Sequence, residues 1–256
     1  MNTKFVGTVA AALMASAASA GLQIGDTITV SRIGTSPSRA VTINYDSSIT
    51  SSSSASRTGG DFALAGQINF NHTLTNGNAA YGTIMAFCVE VGEGFPDDPI
   101  QYTMVDPTGV PEETPPGNMS SNQSLLMQDL YAKNYADVAD DTNDGSWSDT
   151  SDEAAAFQLV IWEISHEAFS SSDLSGMASE LSITLGAFQA TDTYSANVAT
   201  IAAGMIAGLG VGGFEAYSAL LGGTNPTNQD LLIVVPSPAI AGLAGLGLVG
   251  MRRRRR

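Results

Sequence analysis

The sequence predicts an α+β body, a β-sandwich or barrel with an inserted helical region, held between two short end segments of different character. Three observations predict it. Short runs rich in Val, Ile, Thr and aromatic residues fill the first half, separated by Ser-, Gly- and Asn-rich turns. Apolar residues then recur at helical spacing between residues 124 and 209. Two further strand-like runs close the body before residue 236, and no internal repeat is visible.

Residues 1–20 carry Lys4, an apolar run through Phe5, Val6, Val9, Leu13 and Met14, and then Ala18-Ser19-Ala20. A basic start, a short apolar centre and small residues at the end describe a secretory signal peptide cut after Ala20; a retained anchor is the alternative. The body, residues 21–235, opens with predicted strands at 28–33, 41–45, 62–70, 84–91 and 100–105. Residues 47–56 are Ser and Thr apart from Ile49 and Ala55, an exposed loop. Residues 107–117, with four prolines and two glutamates, read as a linker or long loop.

Helices follow. Residues 124–138 put Leu126, Leu130 and Tyr131 on one face, and residues 139–151 form an acidic loop. Residues 152–169 are the strongest helix, with Ser151 or Asp152 as its cap and Asp152 and Glu153 suiting the dipole at its start. Phe157, Val160, Ile161, Ile164 and Ala168 make one apolar stripe; Gln158, Trp162, Ser165 and Phe169 make an adjacent one. A third helix, 193–209, spaces Val198, Ile201, Met205 and Leu209 along one face. Strands at 214–221 and 229–235 end the body.

The last segment, residues 236–256, begins Pro236-Ser237-Pro238, continues through thirteen uncharged residues at 239–251, and closes with Arg252, Arg253, Arg254, Arg255 and Arg256. Thirteen residues fall short of the roughly 20 that a helix needs to cross a hydrocarbon core unaided. Residues 231–235 add apolar length, but the prolines interrupt a straight helix. Five arginines resist transfer across a bilayer, so they stay cytoplasmic and leave the upstream chain outside. The competing reading, a buried terminal helix with an arginine cluster for nucleic acid, lacks interleaved aromatics. The layout resembles the PEP-CTERM sorting signal of bacterial surface proteins, with Ser237 where that family usually has Glu. The resemblance implies an exosortase-type membrane protease as partner, an inner-membrane intermediate held through residues 239–251, and delivery to the cell surface or extracellular matrix.

Charge agrees with that address. Lys4 and the five terminal arginines are six of the ten basic residues, and neither end carries an acid. The body keeps only Arg32, Arg39, Arg57 and Lys133 against 25 acids, which repels nucleic acid and anionic membranes and attracts cations.

Cys88 is the only cysteine, so an internal disulfide is excluded. Alone, it reads as a small buried apolar side chain. Phe87-Cys88-Val89-Glu90, followed by Phe157-Gln158-Leu159-Val160-Ile161-Trp162, resembles the paired motifs of thioester domains in Gram-positive surface adhesins. The resemblance covers residues 81–169, with Phe157 where those adhesins typically carry threonine. It implies an internal thioester between Cys88 and Gln158, open to a surface amine or hydroxyl, with Phe87, Phe157 and Trp162 as shields against water. The alternative is a structural matrix or biofilm protein without covalent chemistry, its aromatics ordinary core.

Other motifs are set aside. Residues 208–213 satisfy G-x-G-x-x-G but follow a helix and lack the later acid of a dinucleotide site. Asp140, Asp141, Asn143 and Asp144 before Gly145 hint at calcium, yet Thr142 and Ser151 break the EF-hand register. His166 is expected on a helix surface, and His72 in a strand or turn. Two separated histidines and one cysteine make no zinc constellation. No cofactor, resident metal or enzymatic activity is expected; a secreted hydrolase would need a site that is not readable.

Overall fold

In the computed structural model, residues 22–45, 61–74, 83–91, 99–113, 116–139 and 150–235 are described. The signal peptide (1–20), the Ser-rich loop (47–56), the Asp140–Gly145 run and the sorting tail with Pro236, Ser237, Pro238 and Arg252 to Arg256 lie outside them.

Seven strands are described: β1 (Thr27–Tyr45), β2 (Asp61–Leu74), β3 (Thr83–Cys88), β4 (Ile100–Val105), β5 (Phe188–Asp192), β6 (Leu220–Thr224) and β7 (Leu231–Val234). They pair antiparallel in the order β2-β3-β7-β6-β4-β1-β5, and β2 also pairs with β1. That extra pairing closes six strands into a ring, the barrel form of the expected fold, with β5 attached to the far part of β1. Closure removes most of the exposed edge that an open sheet would leave. The helices α1 (Ser121–Ala139), α2 (Thr150–His166), α3 (Leu174–Glu180) and α4 (Ala196–Gly208) fall between β4 and β6, as the expected helical insertion. Together these form one unit, Leu22–Val235.

The strand boundaries teach most where they depart from expectation. Residues 28–33 and 41–45 are one strand, because residues 34–40 between them stay paired with β2 through two register shifts. Gly66 makes this possible: a Cβ there would sit 2.4 Å from Pro37 O, so only glycine lets the two backbones approach. The run at 214–221 is a loop for most of its length; β6 starts at Leu220 and continues through Gly222 and Gly223. A Cβ on Gly222 would lie 3.0 Å from the side chains of Val105 and Val110, so this strand gains its neighbours by lacking side chains, a signal opposite to β-propensity. β3 ends at Cys88 rather than Val91. α3 and β5 were not anticipated; α3 is a short Ser-containing turn of helix capped by Asp173, whose carboxylate accepts the Gly176 N–H at 2.9 Å.

α2 is the central helix. It begins at Thr150, so Asp152 lies inside the first turn rather than capping it, and it stops at His166 rather than Phe169. Asp152 receives Arg39 Nε at 2.6 Å and Ser195 Oγ at 2.9 Å instead. Every residue from Asp152 to His166 is buried, which corrects the picture of two apolar stripes. The helix packs on β1, β2, β3 and β5, while α1 and α4 cover its other sides. Among the described residues no helix is long and apolar enough to cross a membrane.

Candidate functional site

The end of β3 meets the middle of α2. Pairing of β3 with β2 runs from Thr83 only to Ala86, while β2 continues past Ile68 paired with β1 alone. On its other edge β3 still pairs with β7, through Cys88 and Leu231. Cys88 therefore has a backbone N–H and C=O with no strand opposite them. Gln158 fills the gap. The Cys88 N–H donates to Gln158 Oε1 at 3.0 Å, and Gln158 Nε2 donates to Cys88 C=O at 2.7 Å. The side-chain amide thus stands in for one residue of a missing strand. Residues 70 positions apart are brought together in the interior, with Cys88 at 7 % and Gln158 at 1 % exposure.

Cys88 is a free thiol. Burial pushes it well above the usual thiol range, Glu90 pushes the same way, and Arg32 opposes them. The sulfur is held neutral. Phe87 and Phe157 meet edge to face with centroids 5.0 Å apart, and Tyr131 packs edge to face on both, at 6.5 and 4.8 Å. Two of the three expected shields therefore belong to one aromatic cluster beside the pair. Trp162 does not join it; its ring packs against Phe188 at 6.0 Å.

Two turns further along, α2 repeats the device of binding strand backbone with a side chain. Ser165 Oγ donates to Val89 C=O at 2.8 Å, and the Val91 N–H donates to His166 Nε2 at 3.4 Å. His166 is 1 % exposed, which corrects the expectation of a surface histidine. The backbone that leaves β3 passes over the end of α2, and the imidazole supplies an acceptor to the buried Val91 N–H. His72 lies in β2 and is buried.

Burial lowers His166 to about 4 from 6.5. The folded protein keeps this ring neutral, so its contribution is complete above pH 6.5 and is lost as the pH falls toward 4. Between pH 7 and pH 5 that amounts to about 2 kcal/mol. Urea midpoints measured at the two pH values should show the loss, and His166→Leu should lower the pH 7 midpoint while removing that part of the slope.

One group of acids escaped the sequence reading: Glu90 after β3, Glu113 in the Pro-rich segment after β4, and Asp230 before β7. No spacing rule joins residues so far apart in the chain. The only hint was that Glu90 stands in the motif around Cys88.

Comparisons with family models, with curated proteins and with solved structures find no match to this chain.

Proposed function

We propose that this chain is an exported protein of the bacterial cell surface or extracellular matrix whose body carries an internal thioester between Cys88 and Gln158. The observation that carries the covalent part is the double hydrogen bond that holds the Gln158 amide against the residue whose sulfur would attack it. Cys88 Sγ adds to the carboxamide carbon of Gln158, the C–N bond breaks, and ammonia leaves with the thiol proton. A carbon–sulfur bond remains. The Cys88 N–H, already donating to Oε1, stabilises charge developing on that oxygen. Loss of Nε2 gives up the bond to Cys88 C=O, while proximity supplies much of the barrier reduction. Burial excludes the water that would hydrolyse the product.

A surface amine or hydroxyl that gains access when the cover over the pair opens then displaces the thiolate, gives it a proton and becomes bonded to Gln158. Each chain reacts once, so it is an adhesive rather than an enzyme. The end segments support export: a signal peptide at residues 1–20 and a PEP-CTERM-like tail at 236–256, processed by an exosortase-type protease. A structural matrix protein is the second reading, favoured by the raised thiol, which keeps the sulfur protonated. In it, the same amide is a clamp and nothing more.

Intact mass separates the two. The purified protein should weigh one ammonia less than its sequence demands, and methylamine should add its own mass at Gln158 while freeing Cys88 for alkylation. A protein of full mass whose Cys88 alkylates without methylamine leaves the structural reading. Recovery of the chain from cytosol with residues 1–20 attached would defeat the export proposal.

A further inference from the structure

The acidic trio of Glu90, Glu113 and Asp230 plays no part in the Cys88–Gln158 chemistry. It gathers where β3 ends and β7 begins, against the segment that follows β4. One oxygen from each residue lies within 4.8 Å of the others. Glu90 is 3 % exposed and Asp230 0 %. Glu113 is half-buried, but its Oε2 is sealed from solvent and accepts no hydrogen bond among the described residues. Glu90 receives one N–H, from Asp230 at 3.0 Å, and its side-chain neighbour is the carboxyl of Glu113.

Among the described residues, only acids are seen to act on Glu90 and Asp230, namely Glu112, Glu113 and Asp230 itself. Lys133 and Arg39 form their ion pairs elsewhere, with Asp129 and Asp152. Buried carboxylates persist only when protons, cations or metal ions neutralise them. A proton shared between Glu90 and Glu113 would answer for one contact and leave Glu113 Oε2 without a partner. A metal ion would satisfy all three residues together.

The geometry suits an ion. Oxygens bound to one calcium lie about 2.3–2.6 Å from it, so no two are more than about 5 Å apart. The trio meets that limit. Asp230 is aimed by two backbone donors, Asn225 N–H at 2.9 Å and Glu112 N–H at 2.7 Å, each using one carboxylate oxygen and leaving further lone pairs free. All candidate ligands are hard oxygens, with neither thiol nor imidazole among them, which favours calcium or magnesium over zinc.

We infer that Glu90, Glu113 and Asp230 bind a hard divalent cation of the calcium type, tying the end of β3, the start of β7 and the segment after β4 to one another. The ion would act as a staple on the barrel at the point where β3 has lost β2 as a neighbour. This site stands whether or not a thioester forms.

The test uses full-length protein in mild detergent, stripped with a chelator and titrated with calcium chloride. Calorimetry should find saturable binding of one ion per chain, and the melting temperature should rise by about 5 °C at saturation. Glu113→Gln is the decisive variant, because that carboxyl fixes no backbone in the way Asp230 does. It should raise the melting temperature of the metal-free protein by removing repulsion, and weaken calcium binding at least tenfold. A melting temperature indifferent to calcium would overturn the inference, as would a Glu113→Gln protein that binds calcium like the parent. Either result would mean that protons alone neutralise the trio.

Discussion

Gln158→Ala should cost about 3–5 kcal/mol of stability, read from urea unfolding at neutral pH. The substitution strands the Cys88 N–H and C=O in the interior, where neither water nor a strand can reach them. It also leaves a cavity in the middle of a helix that is buried all round. Gln158→Glu keeps the volume and the acceptor but loses the donor to Cys88 C=O, so it should fall between the parent and the alanine variant. Cys88→Ala tests something else. It keeps the backbone that Gln158 binds, so under the clamp reading it costs little beyond a small cavity. Under the thioester reading it also removes a covalent bond joining β3 to α2. A stability loss for Cys88→Ala far above that of a small cavity therefore supports the bond independently of mass.

The second large effect is expected at Asp129, in α1 and fully away from solvent. Its carboxylate accepts the N–H groups of Gly210 and Glu215, both at 2.8 Å, and pairs with Lys133 at 2.9 Å. Lys133 in turn donates to the carbonyls of Gly208 and Gly213, each at 3.1 Å. This pair holds the glycine-rich turn that follows α4 and thereby sets the path into β6. Asp129→Ala leaves two N–H groups unpaired and the ammonium without its counter-ion, a loss of about 3–5 kcal/mol. Asn should recover part of it. Urea midpoints give the stability, and limited proteolysis should show new cleavage between residues 209 and 216 in the alanine variant, with none in the parent. Residues 208–213 thus serve as a helix end and turn, as their position after a helix suggested.

The sequence made the local pieces legible because their signals are local. Alternating and β-branched runs marked β4 to the residue, and helical spacing marked α1, α2 and α4 to within a few positions. It misplaced β6 because that strand is specified by what its glycines admit, a property of neighbours far along the chain. It put His166 outside because a helix read by itself always has an outer face; α1, α4 and the strands remove that face from α2. The pairing of Cys88 with Gln158 was expected from resemblance, while its form was not. Only the folded chain reveals that the amide substitutes for a missing stretch of β2.

What the sequence determined by itself is chemical character: one thiol, an acidic body poor in basic residues, apolar ends flanked by positive charge, and an α+β order of elements. Tertiary structure alone decided the closure of the barrel, the burial of the whole central helix, and the meeting of Glu90, Glu113 and Asp230. The division has a physical cause. Periodicity and propensity act over a few residues and are written in order along the chain. Closure and charge clustering depend on which distant segments pay the entropy of coming together, and no short window of sequence carries that information.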